Sequence, residues 1–253
     1  MGAVRVSARS KTSVSASRSK GSELPVRNLI LSALDAGEWN RLCPHLEPCL
    51  LNWHGTLQEP SEPVEFGYFP NSGVISLIVA LRDGKTVEVG IVGKEGFIGI
   101  ALAGGLKRSP HRSLVQMPGD GRRIRAAILR ELLPSLPRLR TLLTRYALVQ
   151  GMQLAQTAAC NRLHSLEKRM ARWLLMSHDR TDSMILTMTH ERLAGLLGSD
   201  RPSISEIAGM FQEQGMISYR RGIVNILNRR RLESLACECY EVIQHYYNQL
   251  GLH

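Results

Sequence analysis

The sequence lacks the features that mark several classes of protein. None of its apolar runs reaches the roughly 18 to 20 residues of a membrane-spanning helix, and its start has no apolar core like that of a secretion signal. Its five cysteines are an odd number, which does not suit an extracellular disulfide framework. No nucleophile with a base, carboxylate pair or Walker-type phosphate loop has usable spacing. We therefore expect a cytoplasmic protein with reduced thiols, no membrane partner and no enzymatic activity.

Basic residues are distributed unevenly along the 253 residues, whose formal net charge is +10. Residues 122–178 contain eleven basic and two acidic residues, whereas residues 23–121 contain eight and eleven. This polarity predicts that one part of the molecule faces polyanions, although most charged residues simply solvate a surface. Residues 1–22 hold five basic residues, seven serines and no acid. They predict a disordered tail, which is either a solvated leader or a nonspecific phosphate-contacting arm.

Short runs rich in β-branched residues follow a short helical stretch at residues 29–51. Residues 74–79 and 86–92 form two such runs, and Asp83-Gly84 stands between them. Asp-Gly in this position predicts a hairpin with a type I′ turn, because both central positions of that turn need positive φ. Many short strands separated by glycine-rich turns favour an antiparallel barrel or jelly roll over residues 50–120.

A long helical pattern comes next. Apolar residues recur every three or four positions over residues 137–178, which contain a single glycine and no proline after the first position. One helix of that length would extend about 60 Å at 1.5 Å per residue, too long to bury its face against one small domain. We therefore predict a dimerisation helix, in which Ala158 and Ala159 permit close approach of a second copy. A helix that packs within its own domain is the alternative.

The last part of the chain has a compact helical pattern. An apolar helix ends at Gly198, and residues 199–202, Ser-Asp-Arg-Pro, provide a cap and a first turn for a second helix. Two short strands then flank the basic turn at residues 220–222. Helix, glycine turn, helix and hairpin predict a winged helix-turn-helix.

The second of these helices has side chains suited to DNA. The major groove is about 12 Å wide and admits one helix, whose N-terminal side chains meet base edges. Arg201 is the predicted base-reading residue, because a guanidinium can form two hydrogen bonds with guanine. The side chains suited to phosphate oxygens are Ser199, Ser203, Ser205, Arg220 and Arg221.

Two segments resemble the Crp/Fnr family of bacterial transcription regulators. The family's DNA-binding domain is similar to residues 186–227, LTMTHERLAGLLGSDRPSISEIAGMFQEQGMISYRRGIVNIL. Its cyclic-nucleotide-binding-type effector domain is similar to residues 68–100, YFPNSGVISLIVALRDGKTVEVGIVGKEGFIGI. The resemblance implies a homodimer that binds a palindromic operator in double-stranded DNA, with signal-controlled affinity and RNA polymerase as a further partner.

The expected fold class is α+β, with an N-terminal β-roll (jelly roll), a long dimerisation helix and a C-terminal winged helix-turn-helix. The expected division of the chain is a tail at 1–22, a β-roll effector domain at 23–136, the long helix at 137–178 and the DNA-binding domain at 179–253.

The resemblance also assigns individual positions. Arg201 matches the family's groove-reading arginine, and Asp200 and Ser203 match its phosphate-contacting positions. Glu206 stands where cyclic-AMP receptors carry a second base-reading arginine, and Pro202 replaces their base-reading glutamate. The implied operator therefore differs from the cyclic-AMP receptor site.

The effector region departs further from the cyclic-AMP receptors. Those proteins bind the ribose through a Gly-Glu pair and the phosphate through an Arg-Ser pair. Here Ile100 follows Gly99, whereas Arg112 and Ser113 are retained. Loss of the carboxylate argues against cyclic AMP as ligand. Gly99, Arg112 and Ser113 are the candidate effector residues, and neither the effector nor a cofactor is identified.

The cysteines allow two further hypotheses. Cys43, Cys49 and Cys160 are too few for the four-thiolate iron–sulfur cluster of the family's oxygen sensors. Cys237 and Cys239 could chelate a metal or sense oxidants, but no second pair or nearby histidine spacing completes a zinc site. We therefore predict idle thiols and no metal. The alternative functions are a ligand-binding module acting on a protein partner, and a cysteine-based redox- or metal-sensing regulator.

Overall fold

The computed structural model describes residues 25–181, 183 and 185–252, so the predicted tail at residues 1–22 lies outside the described residues. Helices and strands alternate in blocks along the chain. The helices are α1 Leu29–Ser32, α2 Ala36–Leu42, α3 Ile100–Ala103, α4 Ala126–Leu132, α5 Pro137–Leu163, α6 Leu166–Arg180, α7 His190–Leu197, α8 Arg201–Glu213, α9 Arg229–Leu235 and α10 Cys239–Asn248. The strands are β1 Glu47–Leu51, β2 Thr56–Gln58, β3 Phe66–Pro70, β4 Val74–Ala80, β5 Thr86–Val92, β6 Arg112–Met117, β7 Gly119–Arg125, β8 Ile185–Thr187, β9 Ile217–Arg220 and β10 Ile223–Ile226.

The first seven strands form the predicted β-roll. They make two antiparallel sheets, one in the order β1-β7-β3 and the other in the order β2-β6-β4-β5. The inner faces bury an apolar core that includes Phe69, Ile75, Phe97, Val115 and Ile124. The α+β fold class is confirmed.

Two local predictions in this half were wrong. The helical stretch predicted over residues 29–51 is helical only to about residue 45, and its end is the strand β1. The hairpin between β4 and β5 exists, but Leu81 and Lys85 close a three-residue loop in which only Gly84 has positive φ (84°). A type I turn followed by a left-handed glycine fits this loop better than the type I′ turn that Asp-Gly indicated.

The long helix predicted over residues 137–178 is also corrected. It is broken in two, because His164 and Ser165 both have extended backbone angles, with ψ of 150° and 154°. The two halves have partly different partners. α5 packs on the β-roll and on α10, whereas α6 packs most on α9, contacts α7 and β8, and also reaches β5 and α10. The break therefore lies between a helix that packs mainly on the β-roll and α10 and one that packs mainly on the C-terminal region.

The C-terminal region is a winged helix-turn-helix, as predicted. Its sheet has the order β8-β10-β9, and its core contains Leu193, Ile204, Phe211, Ile226 and Leu232. This core is continuous with the outer face of the β-roll sheet that contains β4 and β5. Among the described residues, no helix is both long and apolar enough to cross a bilayer.

A buried polar contact joins the two domains. Glu88 of β5 accepts hydrogen bonds from Ser76 and, at 2.8 Å, from the indole Nε1 of Trp173 on α6. Burial raises the pKa of Glu88 from 4.5 to about 7. A second contact lies nearer the surface, where Arg192 of α7 bonds to His54 and covers the ring of Trp53.

Candidate nucleic-acid interface

The turn between α7 and α8 holds the two helices of the motif in place. The Thr189 hydroxyl caps the start of α7 by accepting a hydrogen bond from the Arg192 amide at 3.3 Å. Gly198 ends α7 with φ of 60°, a left-handed conformation that suits glycine. The Ser199 amide then bonds back to the carbonyl of Ala194 at 2.9 Å. Ser199 itself is half-buried in this turn, directly before the second helix.

Arg201 lies at the first position of α8 and is exposed. Asp200 caps the helix: its carboxylate accepts hydrogen bonds from the Ser203 amide at 2.9 Å and the Ser203 hydroxyl at 2.8 Å. These bonds lower the pKa of Asp200. The guanidinium of Arg201 has no hydrogen bond or ion pair with the described residues, while Ile204, one turn further on, is fully buried. The helix therefore turns one face into the core and presents Arg201 to solvent.

A chain of polar contacts connects α8 to the wing. The Ser205 hydroxyl donates to the carbonyl of Arg201 at 2.9 Å and lies 2.8 Å from Nδ1 of His190. The His190 ring stacks on Tyr219 of β9, with centroids 4.1 Å apart. Burial and the charge of Arg201 lower the pKa of His190. His190 was not among the residues predicted from the sequence, although Thr189 before it marks the start of α7.

The wing is a tight hairpin of β9 and β10. Arg220 pairs with Ile223, and the two residues between them, Arg221 and Gly222, have φ of 51° and 78°. Two positive φ values define a type I′ turn. Arg220 and Arg221 are both exposed. Glu206, on α8, is exposed as well.

The candidate effector residues meet around β2. Gly99 has φ of 108°, and a side chain there would come within 3.3 Å of the amide nitrogen of Gln58. Gln58 is the strand partner of Ser113, whose buried hydroxyl has no hydrogen-bond partner among the described residues. Arg112 is occupied by an ion pair, with its Nε 2.9 Å from Oε2 of Glu59. A cleft of about 330 Å³ lies between β2 and the segment that leads to β3; Gln58 and Glu59 line it, whereas Gly99, Arg112 and Ser113 do not.

The cysteines separate into two groups. Cys43 and Cys49 are half-buried in the N-terminal half, and burial raises the pKa of Cys49 to about 11. Cys160, Cys237 and Cys239 are buried together at the end of α5, and His164 joins them. The sequence next to Cys237 and Cys239 offered no histidine at zinc-site spacing, whereas the fold brings His164 and Cys160 to the pair from α5.

Comparisons with known proteins agree on the class of fold. Residues 168–235 match the Crp-like helix-turn-helix domain. FixK2 from Bradyrhizobium japonicum has a TM-score of 0.65 at 14% identity, over 76% of this chain and 98% of that chain. The c-di-GMP-responsive global regulator CLP from Xanthomonas campestris has a TM-score of 0.62 at 19% identity, over 76% of this chain and 99% of that chain. A CRP-family transcriptional regulator from Thermus thermophilus has a TM-score of 0.61 at 20% identity, over 74% of this chain and 96% of that chain. No curated protein sequence matches this chain.

The chain combines a β-roll, the two helices α5 and α6, and a winged helix-turn-helix, which is a class of DNA-binding motif. The chain has the fold of the Crp/Fnr transcription regulators and carries their Crp-like helix-turn-helix domain. The family resemblance drawn from the sequence is thereby confirmed.

Proposed function

We propose that this chain is a homodimeric transcription regulator, not an enzyme, that acts in the cytoplasm. Its α8 helices bind the two halves of a palindromic operator, RNA polymerase is its partner in transcription, and a signal at the β-roll controls its affinity for DNA. The observation that carries the proposal is the exposed Arg201 at the first position of α8. A guanidinium without an internal partner keeps its donors available for guanine, and each such contact contributes about 1–3 kcal/mol of discrimination between bases.

The surroundings of Arg201 suit a phosphate backbone. Ser199 directly precedes α8, Ser203 lies in its first turn, and the wing residues Arg220 and Arg221 follow it in sequence; all four are at least partly accessible. Hydrogen bonds from such groups set the position of a protein on DNA without reading its sequence. Asp200 contributes through its cap, because a fixed first turn of α8 directs the Arg201 side chain. Glu206 has no positive charge to offer, so its position favours an acceptor contact with a base amino group.

The free face of α5 supports the dimer. Leu148, Met152 and Leu163 are 62%, 42% and 75% exposed, although each is apolar and lies on one helix. Gly151 and Ala155 are exposed between them, and no atom lies within 4 Å of the position that a Gly151 side chain would occupy. Small residues among large apolar ones let two helices approach closely and interdigitate. A second copy of α5 is the occupant that twofold symmetry provides.

The effector site is proposed at Gly99, Arg112 and Ser113. The unpaired hydroxyl of Ser113 is a donor without a partner, which a bound ligand would satisfy. An anionic ligand would have to displace Glu59 from Arg112, so the ion pair sets a threshold for binding. The cleft beside β2 provides the adjoining space.

The DNA-binding proposal is tested with sequences selected from a random duplex library by the wild-type protein. Arg201→Ala should weaken binding to the selected sequence by about 5- to 150-fold for each half-site and change binding to scrambled DNA little. Arg82→Ala removes the same charge from the exposed β4–β5 loop and is the matched control. An equal loss of affinity for both duplexes would reject the proposal. So would a wild-type protein whose binding to DNA is absent or does not fall steeply as the salt concentration rises. Either result would favour a protein partner.

The dimer is tested separately by sedimentation. Leu148→Glu would bury two carboxylates against each other and should raise the dimer dissociation constant at least about tenfold. Leu106→Glu is the matched control, because Leu106 is 63% exposed on a loop of the β-roll. A Leu148→Glu protein that dimerises as tightly as the control would show that α5 does not form the interface.

A further inference from the structure

Three cysteines and a histidine converge at the junction of the two domains. Cys160 lies in the last turn of α5, and His164 follows four residues later, on the same side of the helix. Cys237 and Cys239 stand at the corner between α9 and α10. The four ligand atoms, three Sγ atoms and one imidazole nitrogen, all lie within 4.8 Å of one another. Each cysteine is at least 97% buried.

The spacing of these atoms matches a tetrahedral metal site. Sγ of Cys160 is 3.5 Å from Sγ of Cys237, and Sγ of Cys239 is 3.5 Å from Nδ1 of His164. Around one zinc ion, with metal–sulfur bonds of about 2.3 Å and metal–nitrogen bonds of about 2.0 Å, two sulfurs are about 3.8 Å apart and a sulfur and a nitrogen about 3.5 Å apart. The atoms are therefore close to their places around a single ion. An iron–sulfur cluster, with several irons, would spread its ligands further apart.

The neighbours of these ligands suit a metal site as well. Nε2 of His164 lies 3.3 Å from Oε1 of Glu238. A carboxylate at the second nitrogen fixes the imidazole so that Nδ1 points at the metal, an arrangement found around many zinc ions. The side-chain amide of Gln156 donates to Sγ of Cys239 at 3.1 Å, as donors near thiolates commonly do.

A buried cation is present where the site needs one. Three thiolates and a divalent ion carry a net charge of −1, which is costly in a dry environment unless a positive group is near. Arg172, on α6, is 96% buried, and its charge acts on the Cys160 thiol. Its Nε has no hydrogen-bond partner among the described residues. Arg172 thus offers the compensating charge.

We propose that Cys160, His164, Cys237 and Cys239 bind one thiophilic divalent metal ion, Zn²⁺, in a closed Cys₃His site. Four protein ligands leave no open position, so the ion is structural and not catalytic. It joins the end of α5 to the corner between α9 and α10, beside the break at His164 and Ser165. If the chain regulates DNA as proposed above, the ion also sets the angle between α5 and the DNA-binding domain.

The site is tested first on the full-length wild-type protein, with no DNA present. Protein purified without chelators should contain about one zinc per chain by elemental analysis. After zinc removal, Co²⁺ alone should bind in equal stoichiometry and produce the intense visible bands of a tetrahedral ion, together with thiolate-to-cobalt charge-transfer absorption. Failure of either result in protein that still binds DNA would overturn the metal site and leave the proposed function intact.

Variants then test the individual ligands. Cys237→Ser and His164→Gln should each lower the metal affinity at least tenfold, whereas Cys43→Ser and Cys49→Ser, in the other group of cysteines, should retain full metal content. Glu238→Gln keeps every ligand and, through the imidazole alone, should weaken binding by about 10- to 100-fold. It serves as the test if a ligand variant fails to fold.

Two results would refute the site even if some metal is found. The first is a metal affinity that is unchanged in Cys237→Ser and Glu238→Gln. The second is a disulfide between Cys160 and Cys237 in protein that was alkylated under native conditions and not reduced, because the oxidised pair cannot supply two thiolates.

Discussion

Glu88→Gln perturbs the buried contact between the β-roll and α6. Glu88 is 7% exposed and bonds to Ser76 and Trp173, so a carboxylate there loses its hydration. Glutamine has nearly the same shape and can bond to both partners, but it never ionises. The substitution therefore separates the cost of the charge from the packing of the side chain.

The sign and size of the effect follow from the pKa of Glu88, which burial raises from 4.5 to about 7. The folded state binds the proton more tightly than the unfolded state. Its contribution to stability is thus complete below pH 4.5 and is lost as the pH rises through about 7. A rise of that size corresponds to about 3 kcal/mol of unfolding free energy. Relative to the wild type, Glu88→Gln should therefore gain stability by up to about 3 kcal/mol between pH 4.5 and 8.

The assay is urea unfolding at a series of pH values, followed by tryptophan fluorescence, with Glu62→Gln on the exposed surface of the β-roll as control. The wild type and the control should lose stability between pH 5 and 8 more steeply than Glu88→Gln. Parallel pH profiles for all three proteins would refute the account of a proton held at the domain contact.

Two further predictions concern the DNA-binding domain. Gly198→Ala forces a side chain into a left-handed position and should lower the free energy of unfolding by roughly 1–2 kcal/mol. Gly209→Ala lies inside α8 with no atom within 4 Å of the new side chain, and it should raise the free energy of unfolding by about 0.5–1 kcal/mol. Thermal unfolding of the two variants gives the comparison, and equal melting temperatures would contradict it. Arg220→Ala should weaken binding to all duplexes similarly and reduce the slope of log affinity against log salt by about 0.9 for each lost phosphate contact, and an unchanged slope would remove Arg220 from the interface.

The sequence predicted those parts of the fold that depend on local patterns. The helix-turn-helix followed from the capping residues near Asp200 and the glycine at 198, because these preferences act within a few residues. The break after α5 was missed because apolar spacing continues through both helices, and only Ser165 before α6 hints at a boundary. The turn at Asp83-Gly84 is not type I′, because the register of β4 and β5 leaves a loop longer than that turn spans. Strand register depends on contacts across the sheet, which the local sequence does not show.

The residues of the two candidate sites could be predicted from the sequence only where they lie close together along the chain. Arg201, Arg220 and Arg221 could be placed on the exposed face of a motif from their neighbours in sequence. The cluster of Cys160, His164, Cys237 and Cys239 could not, because its halves are more than seventy residues apart and meet only through the packing of α10 on α5. The spacing of Cys160 and His164 on one helix face was the signal available.

The interruption at His164 and Ser165 also has a mechanical meaning. α6 has 15 residues and is thus about 22 Å long. A bend of only about 10° at its start would carry its far end about 4 Å sideways, slightly more than the 3.4 Å rise of one base pair. α6 is not free to swing alone, because its buried face shares one core with β4 and β5 and with the DNA-binding domain. A bend of this size would therefore have to shift the contact of Trp173 with Glu88 as well.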